Sequence, residues 1–146
     1  MYIIYEGTSH IDNKPIVVVA IPKSSNVKTG AMLQTIIMRS DIDPITASRT
    51  GEDYSICGSC IHRGIPHNGK SGGAKKRSCY VMLLMVLSVY KAYKKGNYKR
   101  LQGHDAIASI GIDMMVRLGT YGDPAAVPSY IWESLISKAK GHTGYS

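Results

Sequence analysis

Apolar and polar positions divide the chain into a β-rich opening, a polar middle and an alternating second half. Residues 2–5 and 16–21 are short apolar runs on either side of the turn-rich stretch from Gly7 to Pro15. That is the pattern of a hairpin. A polar stretch at 24–30, with Lys28 and Gly30, leads into the apolar run 33–38, which predicts a third strand ended by Arg39, Ser40 and Asp41. Asp43 before Pro44 marks a helix start, because the carboxylate caps free N–H groups and proline's missing N–H is not needed in the first turn. That helix should stop near Gly51.

Residues 52–78 show no sustained apolar period and read as one long Cys/Gly/Lys-rich loop inside a single domain of residues 1–146. Leu, Met and Val dominate from residue 80 onward. With Lys91, Lys94 and Lys95 in the last turns and Gly96 beyond them, residues 80–95 predict a helix with a favourable C-terminus. Its first half is apolar nearly all round, which predicts deep burial. A short helix over 105–110, a buried strand over 114–118 and a turn over 119–123 follow. Ser129 then caps a helix with Ile131, Leu135, Ile136 and Ala139 at helical spacing, and 142–145 resumes a strand. Helix, strand, helix, strand implies parallel βαβ units, so the fold class is α/β with a small mixed sheet behind an N-terminal hairpin.

Composition adds limits. A chain of 146 residues with 44% hydrophobic residues supports one core, and with no Phe its aromatic share falls to ten Tyr and Trp132. The start lacks a basic region followed by an apolar run, and the longest apolar stretch, 80–89, falls short of the ~20 residues that cross a bilayer. The expectation is a cytoplasmic protein with no membrane partner. The formal charge of +8 favours a nucleic acid or another anionic partner, or else serves solubility alone.

Three cysteines, an odd number, argue against a disulfide framework and leave thiols or metal ligands. Cys57-Gly-Ser-Cys60 lets the backbone curl and bring two sulfurs to one point. Eighteen residues separate Cys60 from Cys79, and closing a loop of that length costs little more than closing a short one. Zinc held by Cys57, Cys60 and Cys79 with His62 or His67 is one reading. An iron–sulfur cluster on the three thiolates is another. A third makes Cys79 a buried thiol beside an unligated or redox Cys-x-x-Cys pair. No acid, base and nucleophile constellation stands out. Lys70, Lys75, Lys76 and Arg77 lie in a glycine-rich segment, while Lys91, Lys94, Lys95, Lys99 and Arg100 interleave with Tyr90, Tyr93 and Tyr98. Such residues suit an RNA or DNA surface, or a solvated loop.

Lys28-Thr29-Gly30, Thr50-Gly51-Glu52-Asp53 running into the cysteine pair, Cys79-Tyr80, the run from Arg117 to Pro124 and Thr143-Gly144-Tyr145 occur in an order that resembles a group of uncharacterised phage proteins. That group is in turn distantly similar to the phage "gene product 88" family. The likeness covers residue 24 to the end and implies a host-cell cytoplasmic location. More remotely, the layout resembles the first part of a radical S-adenosylmethionine barrel, though the cysteine spacing here is not CxxxCxxC. That resemblance implies an iron–sulfur cluster on the three cysteines and S-adenosylmethionine at the turn Gly122-Asp123. It also makes the sheet like an incomplete barrel, with an edge that invites a second copy of the chain or a host protein. The expectation is therefore a phage metal- or iron–sulfur-binding protein of unknown activity; the alternative is a basic nucleic-acid-binding or host-interaction protein whose metal is structural only.

Overall fold

Ile16, Val17, Val18, Val19 and Ala20 are all buried, as are Leu33 and the run from Thr35 to Met38. Strands that are apolar at nearly every position are covered on both faces. They form the middle of the sheet in a computed structural model that describes residues 1–22 and 32–144. Lys28-Thr29-Gly30 and Tyr145 lie outside the described residues.

The strands are β1 (Tyr2–Thr8), β2 (Pro15–Ile21), β3 (Met32–Arg39), β4 (Lys99–Arg100), β5 (Met115–Tyr121) and β6 (Gly141–Gly144). They form a six-stranded sheet in the order β4-β1-β2-β3-β5-β6. The opening hairpin β1–β2 and the pair β2–β3 are antiparallel; β1–β4, β3–β5 and β5–β6 are parallel. Only β2 runs the other way, so the carboxyl ends of β3, β5 and β6 share one end of the sheet. The fold is α/β, and the sheet is open, with β4 and β6 at its edges.

Helix α1 (Pro44–Thr50) forms as its sequence dictates. Asp43 Oδ1 accepts from Thr46 N–H at 2.9 Å, and Gly51, at φ 83°, closes the end. Helix α3 (Leu83–Lys94) also ends as expected: the N–H groups of Gly96 and Asn97 reach back to the carbonyls of Tyr93 and Ala92 at 3.0 and 3.1 Å, which satisfies carbonyls the helix leaves open. Helices α4 (His104–Gly111) and α5 (Ser129–Ile136) pack on each other. A side chain at Gly111 would run into the Leu135 carbonyl.

Several expectations need correction. The stretch 52–78 is not structureless: it contains helix α2 (Tyr54–Cys57) and a two-way backbone bridge between Ile65 and Lys75. Helix α3 begins at Leu83 rather than residue 80, and its first half is not deeply buried, since Leu84 is 65% exposed and only Val86 and Val89 are buried. Ser129 is the first residue of α5 and not its cap. Strand β5 runs on to Tyr121, through part of the expected turn.

That extension depends on a bulge. Gln34 faces Arg117 and Ile36 faces Tyr121, so β5 fits two extra residues opposite Thr35. The buried Thr35 hydroxyl donates to the Arg117 carbonyl at 2.9 Å and accepts from Gly119 N–H at 2.8 Å. Gly119 is at φ 68°, where the Gly122 carbonyl and the Pro124 ring leave no room for a Cβ. Bulges of this kind re-aim side chains and are common next to functional sites.

Helix α2 is tied down from several sides. Ser9 Oγ donates to the Ser55 carbonyl at 2.6 Å, Arg39 Nη1 donates to Ser55 Oγ at 3.2 Å, and Asp123 N–H donates to the Ile56 carbonyl at 2.5 Å. The residues just beyond are held by Arg63. Its guanidinium meets the buried Asp53 carboxylate at 2.6 Å and donates to the carbonyls of Gly58 and Gly51 at 2.8 and 2.9 Å.

Two stability predictions follow from these contacts. Arg63→Met, which leaves Asp53 buried and unpaired, lowers stability by about 3 kcal/mol in urea unfolding. Thr35→Val strips the bulge of both side-chain hydrogen bonds and costs about 2 kcal/mol by the same measurement; an unchanged midpoint would show that the bulge does not depend on that hydroxyl.

Candidate functional site

A cleft of about 680 Å³ opens at the carboxyl end of β5, the end at which ligands bind in open α/β sheets. One wall is the end of α2 and the turn after it, with Cys57, Ser59, Cys60, Ile61 and His62. The facing wall is the segment leading to α3, with Ser78, Cys79, Tyr80 and Val81. The floor is the end of β5, from Gly119 to Asp123. Two features read separately from the sequence, the cysteine set and the Gly122-Asp123 turn, thus belong to one cleft.

The walls are brought together by backbone bonds. Ser78 N–H and Cys79 N–H both donate to the His62 carbonyl at 3.2 Å, and the Ile65–Lys75 bridge closes the loop between them. Cys79 therefore faces the Cys57–Cys60 turn although eighteen residues intervene. Within the pair, Cys60 N–H donates to the Cys57 carbonyl at 3.2 Å, and Gly58, at φ 56°, takes the bend between them.

The thiols differ in setting. Cys60 is exposed, whereas Cys57 and Cys79 are half-buried. Burial, then the nearby Asp53 carboxylate, pushes the Cys57 thiol far above its ordinary range, with the Arg63 guanidinium opposing the rise. Tyr121 on the floor is likewise held well above the usual phenol range, first by burial and then by Cys57 and Asp53, with Arg77 opposing the rise.

The two candidate histidines separate. His62 lines the cleft, and its Nδ1 lies 2.9 Å from Ser78 Oγ, an orienting bond of the kind that supports metal-ligating histidines. His67 does not belong here: its Nε2 is 3.0 Å from the Gly73 carbonyl and its Nδ1 accepts from Gly69 N–H at 2.9 Å, so both ring nitrogens are engaged within the loop. Gly122 and Asp123 line the floor. Asp123 Oδ1 is occupied in part, accepting from Ala125 N–H at 2.9 Å. Among the described residues, no three His, Cys, Asp or Glu side chains are gathered as tightly as a single metal ion requires.

The basic candidates do not form one surface with their tyrosines. Lys70, Lys75 and Lys76 are exposed, but Arg77 is half-buried and donates to the Cys79 carbonyl at 3.3 Å. Lys91, on the last turn of α3, and Lys95, just beyond it, are exposed. Lys94 donates to the Ser40 carbonyl at 3.2 Å and sits 5.9 Å from the ring centres of both Tyr90 and Tyr93. Tyr90, Tyr93 and Tyr98 pack against the core instead of standing free for base stacking. Among the described residues no helix is long and apolar enough to cross a membrane.

Sequence reasoning missed Arg63, and it named Asp53, Thr120 and Tyr121 only within motifs, not as the residues that fasten the cysteine turn and form the floor. Nothing local marks them, since each acquires its role from residues distant in the chain. No protein-family model, curated protein or solved structure matches this chain, and the chemistry of the cleft rests on its own residues.

Proposed function

We propose that the cleft is a thiolate metal centre, in which Cys57, Cys60 and Cys79, joined by His62, hold zinc or an iron–sulfur cluster. The observation that carries this reading is the convergence of all three cysteines of the chain on one cleft at the carboxyl end of the sheet. Soft sulfur and imidazole donors select zinc and iron–sulfur clusters over hard cations. Cys60, the exposed thiol of the three, lies beyond the Gly58 bend and is the one whose side chain is least packed.

Elemental analysis of protein purified without oxygen tests the proposal. Near-stoichiometric zinc, or iron with acid-labile sulfide, is the expected result, and the two are told apart in the same measurement. Cys57→Ser and Cys79→Ser each lower metal content by about tenfold or more, while His67→Ala leaves it unchanged. Bound metal also shields Cys60 from thiol-modifying reagents until a chelator is added. Protein with neither metal, before or after reconstitution, would sink this reading.

A further inference from the structure

Among the described residues two buried side-chain polar atoms have no hydrogen-bond partner, Arg77 Nη2 and Thr120 Oγ1. Folded proteins satisfy nearly all such atoms, and an exception points to an ion, water or ligand that completes it. Both belong to the surroundings of the cysteine cleft. Thr120, 8% exposed, lies on the floor. Arg77 directly precedes the Ser78–Val81 wall and is pinned to it through its bond to the Cys79 carbonyl. Its charge also opposes the rise of the Tyr121 phenol, and Tyr121 lines the same floor.

The chemistry of these two groups narrows what completes them. A guanidinium N–H only donates, and a hydroxyl donates or accepts, so an acceptor oxygen satisfies both. Opposite a full positive charge in a partly desolvated setting, the strong acceptor is an anionic one. Of the nearby carboxylates, Asp53 pairs with Arg63, while Asp123 gives one oxygen, Oδ1, to the turn that follows β5. At the mouth, Arg117 lies 5.5 Å from the ring centre of Tyr80 and donates to its hydroxyl. A second cation therefore borders the entrance, where it attracts anions.

We propose that the floor of the cleft receives a small oxyanion, the carboxylate or phosphate group of a ligand, between Arg77 and Thr120. The inference rests on the thiolate reading only in sharing its cleft; the atoms that receive the oxyanion are not those that hold metal.

Isothermal titration calorimetry with inorganic phosphate and with succinate tests it. The titrations use the full chain as purified, chelator-treated protein, and a Cys57→Ser/Cys60→Ser/Cys79→Ser variant. At least one probe binds saturably with or without metal, and comparing the two separates a phosphate from a carboxylate ligand. Arg77→Met weakens that binding by about tenfold or more. Thr120→Val weakens it several-fold yet raises the unfolding midpoint of the ligand-free protein, because an unsatisfied buried hydroxyl is gone. Lys95→Ala, at the far end of α3, changes nothing. If Arg77→Met does not fold, Thr120→Val carries the test. Neither probe binding saturably at millimolar concentration, or binding that survives both substitutions, overturns the proposal. Metal content is read independently: protein that binds phosphate but no metal refutes only the thiolate centre, and protein that binds metal but neither probe refutes only the oxyanion site.

Discussion

The carboxyl end of the sheet depends on a buried carboxylate, Asp53, and the guanidinium that neutralises it. Asp53 is 4% exposed and would be costly to bury alone; Arg63 meets it at 2.6 Å and also satisfies the carbonyls of Gly51 and Gly58. One side chain thus offsets the charge and closes the chain on both sides of α2. The Arg63 guanidinium also lies 5.5 Å from the ring centre of Tyr54, within cation–π range. With that turn fixed, the His62 carbonyl can accept from Ser78 and Cys79, and the second wall of the cleft takes its place.

The floor is set by a different constraint. A parallel pair such as β3–β5 has evenly spaced backbone bonds, and two extra residues in β5 would leave polar groups unpaired in a buried region. The Thr35 hydroxyl removes that cost by standing in for the missing strand partner, donating to one carbonyl and accepting from one N–H. The bulge then carries Gly119–Asp123 toward α2, where Asp123 N–H meets the Ile56 carbonyl. Gly122 permits the approach, because a Cβ there would collide with Ile37.

These two constraints explain what the sequence could disclose. The hairpin, β3, the Asp43–Pro44 start of α1 and the Gly96 end of α3 are written in consecutive residues, so apolar runs and capping residues reveal them. β4 is two charged residues, Lys99 and Arg100, and has no apolar pattern to read. β5 looked as if it ended before Gly119 because glycine signals a turn, whereas the hydroxyl that keeps the strand going belongs to Thr35, far back in the chain. The apolar start of α3 was misjudged for a related reason. Periodicity reports which residues avoid water on average, but Tyr80, Met82 and Leu84 stand exposed at a cleft mouth and a helix start, with no described element packed over them. The cysteines were legible as a set; their partner surface, the end of β5, was not.

The way the cysteines are held bears on what any metal does for this fold. In small metal-dependent domains the ligands come together only on the ion, so binding energy and folding energy are the same quantity. Here Cys57 sits on a helix fixed by Ser9, Arg39 and Asp123, and Cys79 is placed by the His62 carbonyl and the Ile65–Lys75 bridge. None of those bonds involves a sulfur. The placement of Cys57 and Cys79 therefore rests on the chain's own hydrogen bonds, whatever the cleft binds. A site built this way has its binding energy free for selecting and orienting what enters the cleft, since the fold does not draw on it.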